Sequence, residues 1–184
     1  MVKRGFDFVV ALLAIMVLLP LVIMGWILAI IDTGFWGMFI HQRVGQYGRL
    51  FSIYKFRTIH PEKRTISPIG KFLRTFKLDE LPQLFNIIKG DMSFVGPRPD
   101  VEGYYDQLQG EDRKILELKP GLTSEASIFF RKEEYLLQRH EDSLKFNDEV
   151  IFPKKVKMNL DYYYRQSLWL DVKIMLKTIR SIFK

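Results

Sequence analysis

The sequence predicts a small membrane-associated α/β protein, with an N-terminal re-entrant membrane helix broken at a proline, a short β-hairpin and amphipathic interfacial helices. Three observations predict it. Phe8 to Ile31 are 24 consecutive residues without a charge, long enough to cross a bilayer. Between Phe39 and Phe56 apolar and β-branched residues are interrupted by Gly45 and Gly48, the pattern of two strands and a turn. Apolar residues then recur at helical spacing after Ser67 and again near the C-terminus. With 184 residues, 48% of them apolar, there is room for a membrane segment, 1–34, and one compact domain, 35–184.

The apolar run is bracketed by Asp7 and Asp32 and preceded by Lys3 and Arg4. It is longer than the core of a secretory signal, and no small-residue cleavage site precedes Gly34, so it reads as retained. Pro20 sits near its midpoint, where it deletes a backbone hydrogen bond and crowds the preceding turn. Each half is then about 12 residues, or roughly 18 Å of helix. Both flanks are basic: after Asp32 the next charges are Arg43, Arg49, Lys55 and Arg57, with no acid before Glu62. By the positive-inside rule both ends prefer the cytoplasm, and a helix that breaks at Pro20 and returns to the same face satisfies this. An ordinary kinked span is the alternative.

Lys55, Phe56 and Arg57 close the second strand of the hairpin. Ser67 and Pro68 are an N-cap and first-turn pair for a helix with Ile69, Phe72, Leu73 and Phe76 on its apolar side and Lys71, Arg74 and Lys77 off it. A second helix is expected from Asp79 and Glu80, with Pro82 in its first turn, Leu81, Leu84, Phe85 and Ile88 buried, and Gly90 as its stop. Ser93 to Val95 is strand-like and leads into Gly96-Pro97-Arg98-Pro99, where two prolines hold the backbone around Arg98 nearly rigid. Residues 100–118 read as a charged helix, Pro120 and Gly121 as a turn, Ser127 to Phe130 as a strand, and 131–149 as solvated helix and loop. At the C-terminus Leu168, Val172, Met175, Leu176, Ile179, Ile182 and Phe183 form an apolar stripe beside Lys173, Lys177, Arg180 and Lys184. With Tyr162, Tyr163, Tyr164 and Trp169 upstream, this helix suits the headgroup layer; a core helix with a basic edge is the alternative.

Composition narrows the chemistry. The absence of cysteine excludes disulfides, thiolate metal sites and thiol nucleophiles. A net charge of +7 and a pI near 9.5 call for a polyanionic partner, whether nucleic acid, anionic lipid or a phosphorylated small molecule. The apolar N-terminus turns that choice from nucleic acid toward membrane lipids and their phosphates. His41, His60 and His140 lack neighbours at metal-ligand spacing, which speaks against zinc. The sequence has no Walker or dinucleotide glycine loop and no nucleophile-elbow serine.

An Asp-Glu pair alone more often caps a helix or faces solvent. Here Lys55, Arg57, Arg74, Lys77 and Arg98 lie on rigid or regular elements around Asp79 and Glu80, the complement that a diphosphate needs. An aspartate at a helix N-terminus is held ionised by the dipole, available as a nucleophile or as a hard oxygen ligand for magnesium. Binding to phosphate headgroups is the alternative role for Lys71 and Lys77.

Four blocks carry a family resemblance: Lys55-Phe56-Arg57-Thr58, Leu78-Asp79-Glu80-Leu81-Pro82-Gln83-Leu84-Phe85-Asn86, Lys89-Gly90-Asp91-Met92-Ser93-Phe94-Val95-Gly96-Pro97-Arg98-Pro99 and Lys119-Pro120-Gly121-Leu122-Thr123. In this order they resemble the signature of the bacterial sugar transferase family, the monotopic phosphoglycosyl transferases, and the chain is similar in size to the minimal catalytic form. The resemblance implies transfer of a phosphosugar from a nucleoside diphosphate sugar, usually a UDP-sugar, to a polyprenol phosphate, usually undecaprenyl phosphate. It places that transfer on the cytoplasmic face of the bacterial inner membrane, as the first membrane step of glycoconjugate and polysaccharide assembly. It further implies Asp79 as the nucleophile and a ligand of Mg2+, with Glu80 its partner in positioning or proton handling. Arg98, fixed by Pro97 and Pro99, is the implied phosphate binder, and Lys55, Arg57 and Arg74 complete the substrate-binding set. Homodimerisation stays open.

Three departures from the family pattern stand out. The break the family makes at a Ser-Pro step falls here on Leu19-Pro20, which leaves the angle of the break open. Ser124-Glu125-Ala126-Ser127 replaces the commoner Gly-Trp-Ala-Gln, and the segment between Thr58 and Ser67 is short; both bear on sugar choice. The rival from a different class is a membrane-tethered polyanion-binding or adaptor protein in which Asp79 and Glu80 only cap a helix.

Overall fold

The computed structural model describes residues 2–182; Phe183 and Lys184 of the expected C-terminal stripe lie outside the described residues. The architecture is mixed α/β, a long apolar N-terminal helix followed by shorter helices and two two-stranded sheets. The chain divides into two units, the residues up to Arg43 with Leu50–Ser93, and Val44–Arg49 with Phe94–Ser181.

In the first unit α1 runs from Val2 to Thr33 with Pro20 inside it. The sequence places a break at Pro20, yet the secondary structure continues through it, because proline removes one bond from a ladder that the flanking leucines sustain. By length and composition α1 suits a membrane. Its buried residues lie toward its two ends, Asp7 and Ala11 on one side, Gly25, Ala29 and Thr33 on the other. Arg4 donates to the carbonyl oxygens of Ile87 and Ile88 at 2.5 and 2.6 Å, which supplies a cation to the last carbonyls of helix α3 (Gln83–Lys89). Gly25 admits the Phe56 ring; a Cβ there would lie 2.6 Å from Phe56 Cε2.

Strands β1 (Met38–Val44) and β2 (Leu50–Phe56) form the expected hairpin. Helix α2 (Pro68–Thr75) begins as read from the sequence, with Ser67 Oγ accepting from Gly70 N at 3.0 Å. Its buried residues are Gly70 and Leu73. Phe72 and Phe76, on the apolar side read from the sequence, are exposed and pack on each other with ring centroids 4.9 Å apart. The helix expected to start at Asp79 comes in two pieces. Lys77 takes a left-handed conformation, Leu78–Glu80 form a 3-10 turn, and α3 follows from Gln83. Gly90, at φ 94°, ends it as expected. The buried face of α3 is Gln83, Leu84, Asn86 and Ile87, while Phe85 is exposed. Asn86 replaces a strand partner for β2: its carboxamide donates to Ser52 O at 2.7 Å and accepts from Tyr54 N at 3.1 Å.

Strand β3 (Ser93–Val95), which opens the second unit at Phe94, pairs with β4 (Gly121–Thr123), a strand where the sequence suggests only a turn. Gly96 and Gly121 cross at backbone contact. A Cβ on Gly96 would meet Lys119 O at 2.2 Å, and one on Gly121 would meet Gly96 N at 2.2 Å. Residues 100–118 are not an α-helix but irregular chain with 3-10 segments Tyr105–Gln107 and Gly110–Glu117, broken by Gly103 and Gly110 at positive φ. Ser127 to Phe130 is not a strand either. Ser124 Oγ accepts from Ser127 N at 2.9 Å and starts helix α4 (Glu125–Phe129).

Short helices α5 (Glu133–Gln138) and α6 (Ser143–Phe146) precede the long pair α7 (Phe152–Arg165) and α8 (Leu168–Ile182). The core gathers Val44, Tyr105, Ile115, Leu116 and Val156. On α8 the buried residues are Asp171, which accepts from Tyr162 Oη at 2.5 Å, and Ile174. Trp169, Leu176 and Ile179 stay exposed, with Lys173 Nζ 5.1 Å from the Trp169 ring.

Candidate active site

The 3-10 turn Leu78–Glu80 sits between α2 and α3, and the left-handed Lys77 redirects the chain into it. Glu80 is buried and pairs with Lys55 Nζ at 3.4 Å. Lys55 reaches it from the end of β2, whose height is set by the Asn86 carboxamide. Asp79 is more closely held than an exposed cap. Its Oδ1 is buried and, among the described residues, has no hydrogen-bond partner. Burial, and next the charge of Glu80, push its pKa up to about 6, against the downward pull of Lys55, Lys77 and Arg74. The sequence reading expects a helix dipole to keep this carboxyl strongly ionised. A three-residue 3-10 turn supplies little dipole, and desolvation wins.

Within the first unit, then, Lys55, Arg74 and Lys77 act on Asp79 through their charge. Arg57 is engaged at the base of the hairpin. It donates to Trp36 O and Met38 O at 3.4 and 3.3 Å, and its guanidinium lies 5.7 Å from the Phe39 ring centroid. Arg98, Pro97 and Pro99 belong to the second unit, where they line a narrow cavity with Val44, Tyr105 and Leu116.

Sequence reasoning missed two residues beside the dyad. Asn86, which is fully buried and joins α3 to β2, was legible only as part of a motif block. Gln83 is 3% exposed, and among the described residues its Nε2 has no hydrogen-bond partner. Its sequence signals are its place in the same motif block and its position four residues after Asp79 in a helical stretch.

A half-buried carboxylate with one buried, unpaired oxygen, a paired acidic neighbour and surrounding cations has the chemistry to attack or bind a phosphoryl group. The whole chain, residues 1–184, matches the family described as bacterial sugar transferase. The chain belongs to the bacterial sugar transferase family. It is 34% identical over 98% of its length to the UDP-N-acetylgalactosamine-undecaprenyl-phosphate N-acetylgalactosaminephosphotransferase of Aeromonas hydrophila, of which it covers 43%. It is 31% identical over 99% of its length to the undecaprenyl-phosphate galactose phosphotransferase of Salmonella typhimurium, of which it covers 40%. To the exopolysaccharide production protein ExoY of Sinorhizobium fredii it is 31% identical over 98% of its length, covering 84% of that protein. This sugar transferase chain thus spans less than half the length of the first two relatives and most of the length of the third.

Proposed function

We propose that the protein transfers a phosphosugar from a UDP-sugar to undecaprenyl phosphate on the cytoplasmic face of the bacterial inner membrane, through a covalent aspartyl intermediate. The observation that carries this reading is Asp79: a half-buried carboxyl with one buried, unpaired oxygen and a pKa of about 6, surrounded by cations, in a bacterial sugar transferase chain whose relatives bear the names of such transferases.

In the first half-reaction an Asp79 carboxylate oxygen bonds to the β-phosphorus of the donor. The bond from that phosphorus to the bridging oxygen breaks, and the nucleoside monophosphate leaves with the electron pair. In the second, a phosphate oxygen of the acceptor attacks the same phosphorus and Asp79 departs as the carboxylate. Glu80, held by Lys55, positions the nucleophile and handles protons. Lys55, Arg57 and Arg74 bind phosphate, and Arg98, between Pro97 and Pro99, is a phosphate binder of the second unit. A covalent intermediate lets one shallow site meet a water-soluble and a lipid substrate in turn.

The residues fit a magnesium ion that arrives with its substrate. Among the described residues no group of three or more His, Cys, Asp or Glu could cage a metal, whereas Mg2+ commonly takes one or two carboxylates and the substrate phosphates. Asp79 would hold it, beside the Lys55-paired Glu80, and bound there it would neutralise diphosphate oxygens that otherwise repel a carboxylate.

Residues 1–34 form a re-entrant membrane segment and 35–184 the cytoplasmic catalytic domain. On a straight helix Arg4 and Gly25 would stand about 32 Å apart. Arg4 bonds Ile87 and Ile88, their neighbour Asn86 bonds Tyr54, and Phe56, two residues on, packs on Gly25. A straight rod needs these short contacts drawn out along one line; a bend at Pro20 would let both ends of α1 meet one small unit. The exposed faces of α2 and α8, with Phe72, Phe76, Trp169, Leu176 and Ile179, suit the interface.

The test is incubation of the purified protein in detergent with Mg2+ and a panel of radiolabelled UDP-sugars, without lipid acceptor. Label should appear on the protein with one sugar, vanish in Asp79→Asn and leave on addition of undecaprenyl phosphate. No label with any donor, from folded protein, would overturn the transfer and favour a non-catalytic tether. For topology, cysteines placed at positions 3 and 40 should both label from the cytoplasmic side; opposite sides would overturn the re-entrant path.

A further inference from the structure

Buried polar atoms in folded proteins nearly all find partners. Among the described residues three side-chain atoms do not: Trp26 Nε1, Asp79 Oδ1 and Gln83 Nε2. The last two share one stretch of chain. Leu81 N bonds Leu78 O, Leu84 N bonds Leu81 O and Phe85 N bonds Pro82 O, so the backbone winds right-handed from 78 to 85. Along it Gln83 follows Asp79 by about one turn. One of the two unpaired atoms accepts and the other donates, yet they do not bond each other.

Packing does not account for a carboxamide at position 83. At 3% exposure a donor without an acceptor destabilises the fold, and methionine would fill the same space with no polar atom to satisfy. The free oxygen of Asp79 is explained by the attack it makes. A free donor one turn away is explained by an oxygen that arrives with the substrate.

Resting on the transfer proposed above, we infer that Gln83 is a further catalytic residue, whose Nε2–H donates a hydrogen bond to a non-bridging oxygen of the phosphoryl group that Asp79 attacks. The bonds made and broken are those of the first half-reaction; the Gln83 proton stays on nitrogen throughout. A donor already in place, and dry, stabilises the charge carried by the equatorial oxygens as phosphorus changes partners. Its neutrality matters as much as its position. A lysine or arginine at 83 would pair with Asp79 and occupy the lone pairs that must reach phosphorus; an amide leaves them free.

Gln83→Met and Gln83→Glu test this. Both keep the length of the side chain and remove the donor. Single-turnover covalent capture from the radiolabelled UDP-sugar, at saturating donor, should fall by about 10²–10³-fold in Gln83→Met, with the donor KM changed only a few-fold and the thermal midpoint unchanged or higher. Gln83→Glu should lose at least as much, since its carboxylate repels the same oxygen. A donor with sulfur in a non-bridging β-position should slow the natural protein more than Gln83→Met, a difference that a packing role would not produce. Capture by Gln83→Met at the natural rate, or a loss that only tracks unfolded protein in both variants, would overturn the role of Gln83 while leaving the transfer standing. Absence of label in the natural protein would overturn the transfer and this role with it.

Discussion

The turn at Asp79 and the crossing at Gly96 and Gly121 are both built from the motif blocks of the sequence, and physically they are opposites. At the crossing Gly96 N donates to Thr123 O at 3.0 Å and Gly121 N to Pro97 O at 2.8 Å, and the two backbones touch so closely that neither position has room for a Cβ. At the turn two buried side-chain atoms have no partner among the described residues, and burial disfavours the charged form of the carboxyl. One block fixes geometry and adds stability; the other keeps reactive groups unsatisfied and lowers it. Two residues in motifs of equal specificity can therefore respond to substitution with opposite signs.

Asp79→Asn draws the contrast most sharply. Covalent capture should fall by about 10⁴-fold or more, while the fold becomes more stable. The sign follows from the pKa, raised from 3.8 to about 6. Above pH 6 the folded protein carries a charge that burial disfavours; below about pH 4 the carboxyl is protonated folded or unfolded, and Asp and Asn become equivalent. Urea unfolding at pH 7.5 should show a gain on the order of 1–3 kcal/mol that fades as the pH falls from 6 to 4. A loss of stability at pH 7.5 would break the comparison.

Gly121→Ala should do the reverse, costing about 2–3 kcal/mol of stability with activity falling only in step with the folded fraction. An unchanged unfolding midpoint would mean the crossing has slack. A smaller effect is expected in the pH profile: capture should rise with pH through about 6, as the nucleophile ionises. Lys77→Met should shift that midpoint upward, since Lys77 pulls the Asp79 pKa down. An Asp79 midpoint near 4 in the metal-free protein would remove the case for a desolvated nucleophile. Smallest of all, Ser67→Ala should cost about 1 kcal/mol by uncapping α2 and leave the pH midpoint where it is.

Elements with local signals were legible in the sequence. Ser67-Pro68 marks the start of α2, Gly90 the end of α3, Gly45 and Gly48 the hairpin turn, and the 3.6-residue period α8. Residues 100–118 looked helical by charge pattern, but Gly103 and Gly110 take positive φ and divide the stretch. Four apolar or small residues from Ser127 do not distinguish a strand from a helix, and the Ser124 cap decides for the helix. Strand β4 has only three residues and exists through its partner. Phe85, expected on the buried face of α3, is exposed, because residue spacing along so short a helix does not fix which side is covered. At the site, Asp79, Glu80 and Lys55 were legible through their motifs; the raised pKa and the unpaired Gln83 amide were not, since burial is a property of the surroundings.

The contact of Arg4 with the carbonyls of Ile87 and Ile88 bears on how this protein can be handled. Cutting away α1 to obtain a water-soluble fragment would remove more than the anchor: the end of α3 would lose the guanidinium that its carbonyl oxygens rest on, and the Phe56 ring would lose its seat on Gly25. A fragment prepared in that way is a different protein at the end of α3. Detergent or nanodisc samples that retain the first residues keep those contacts, and a bulky tag fused directly ahead of Lys3 would crowd the contact of Arg4 with Ile87 and Ile88.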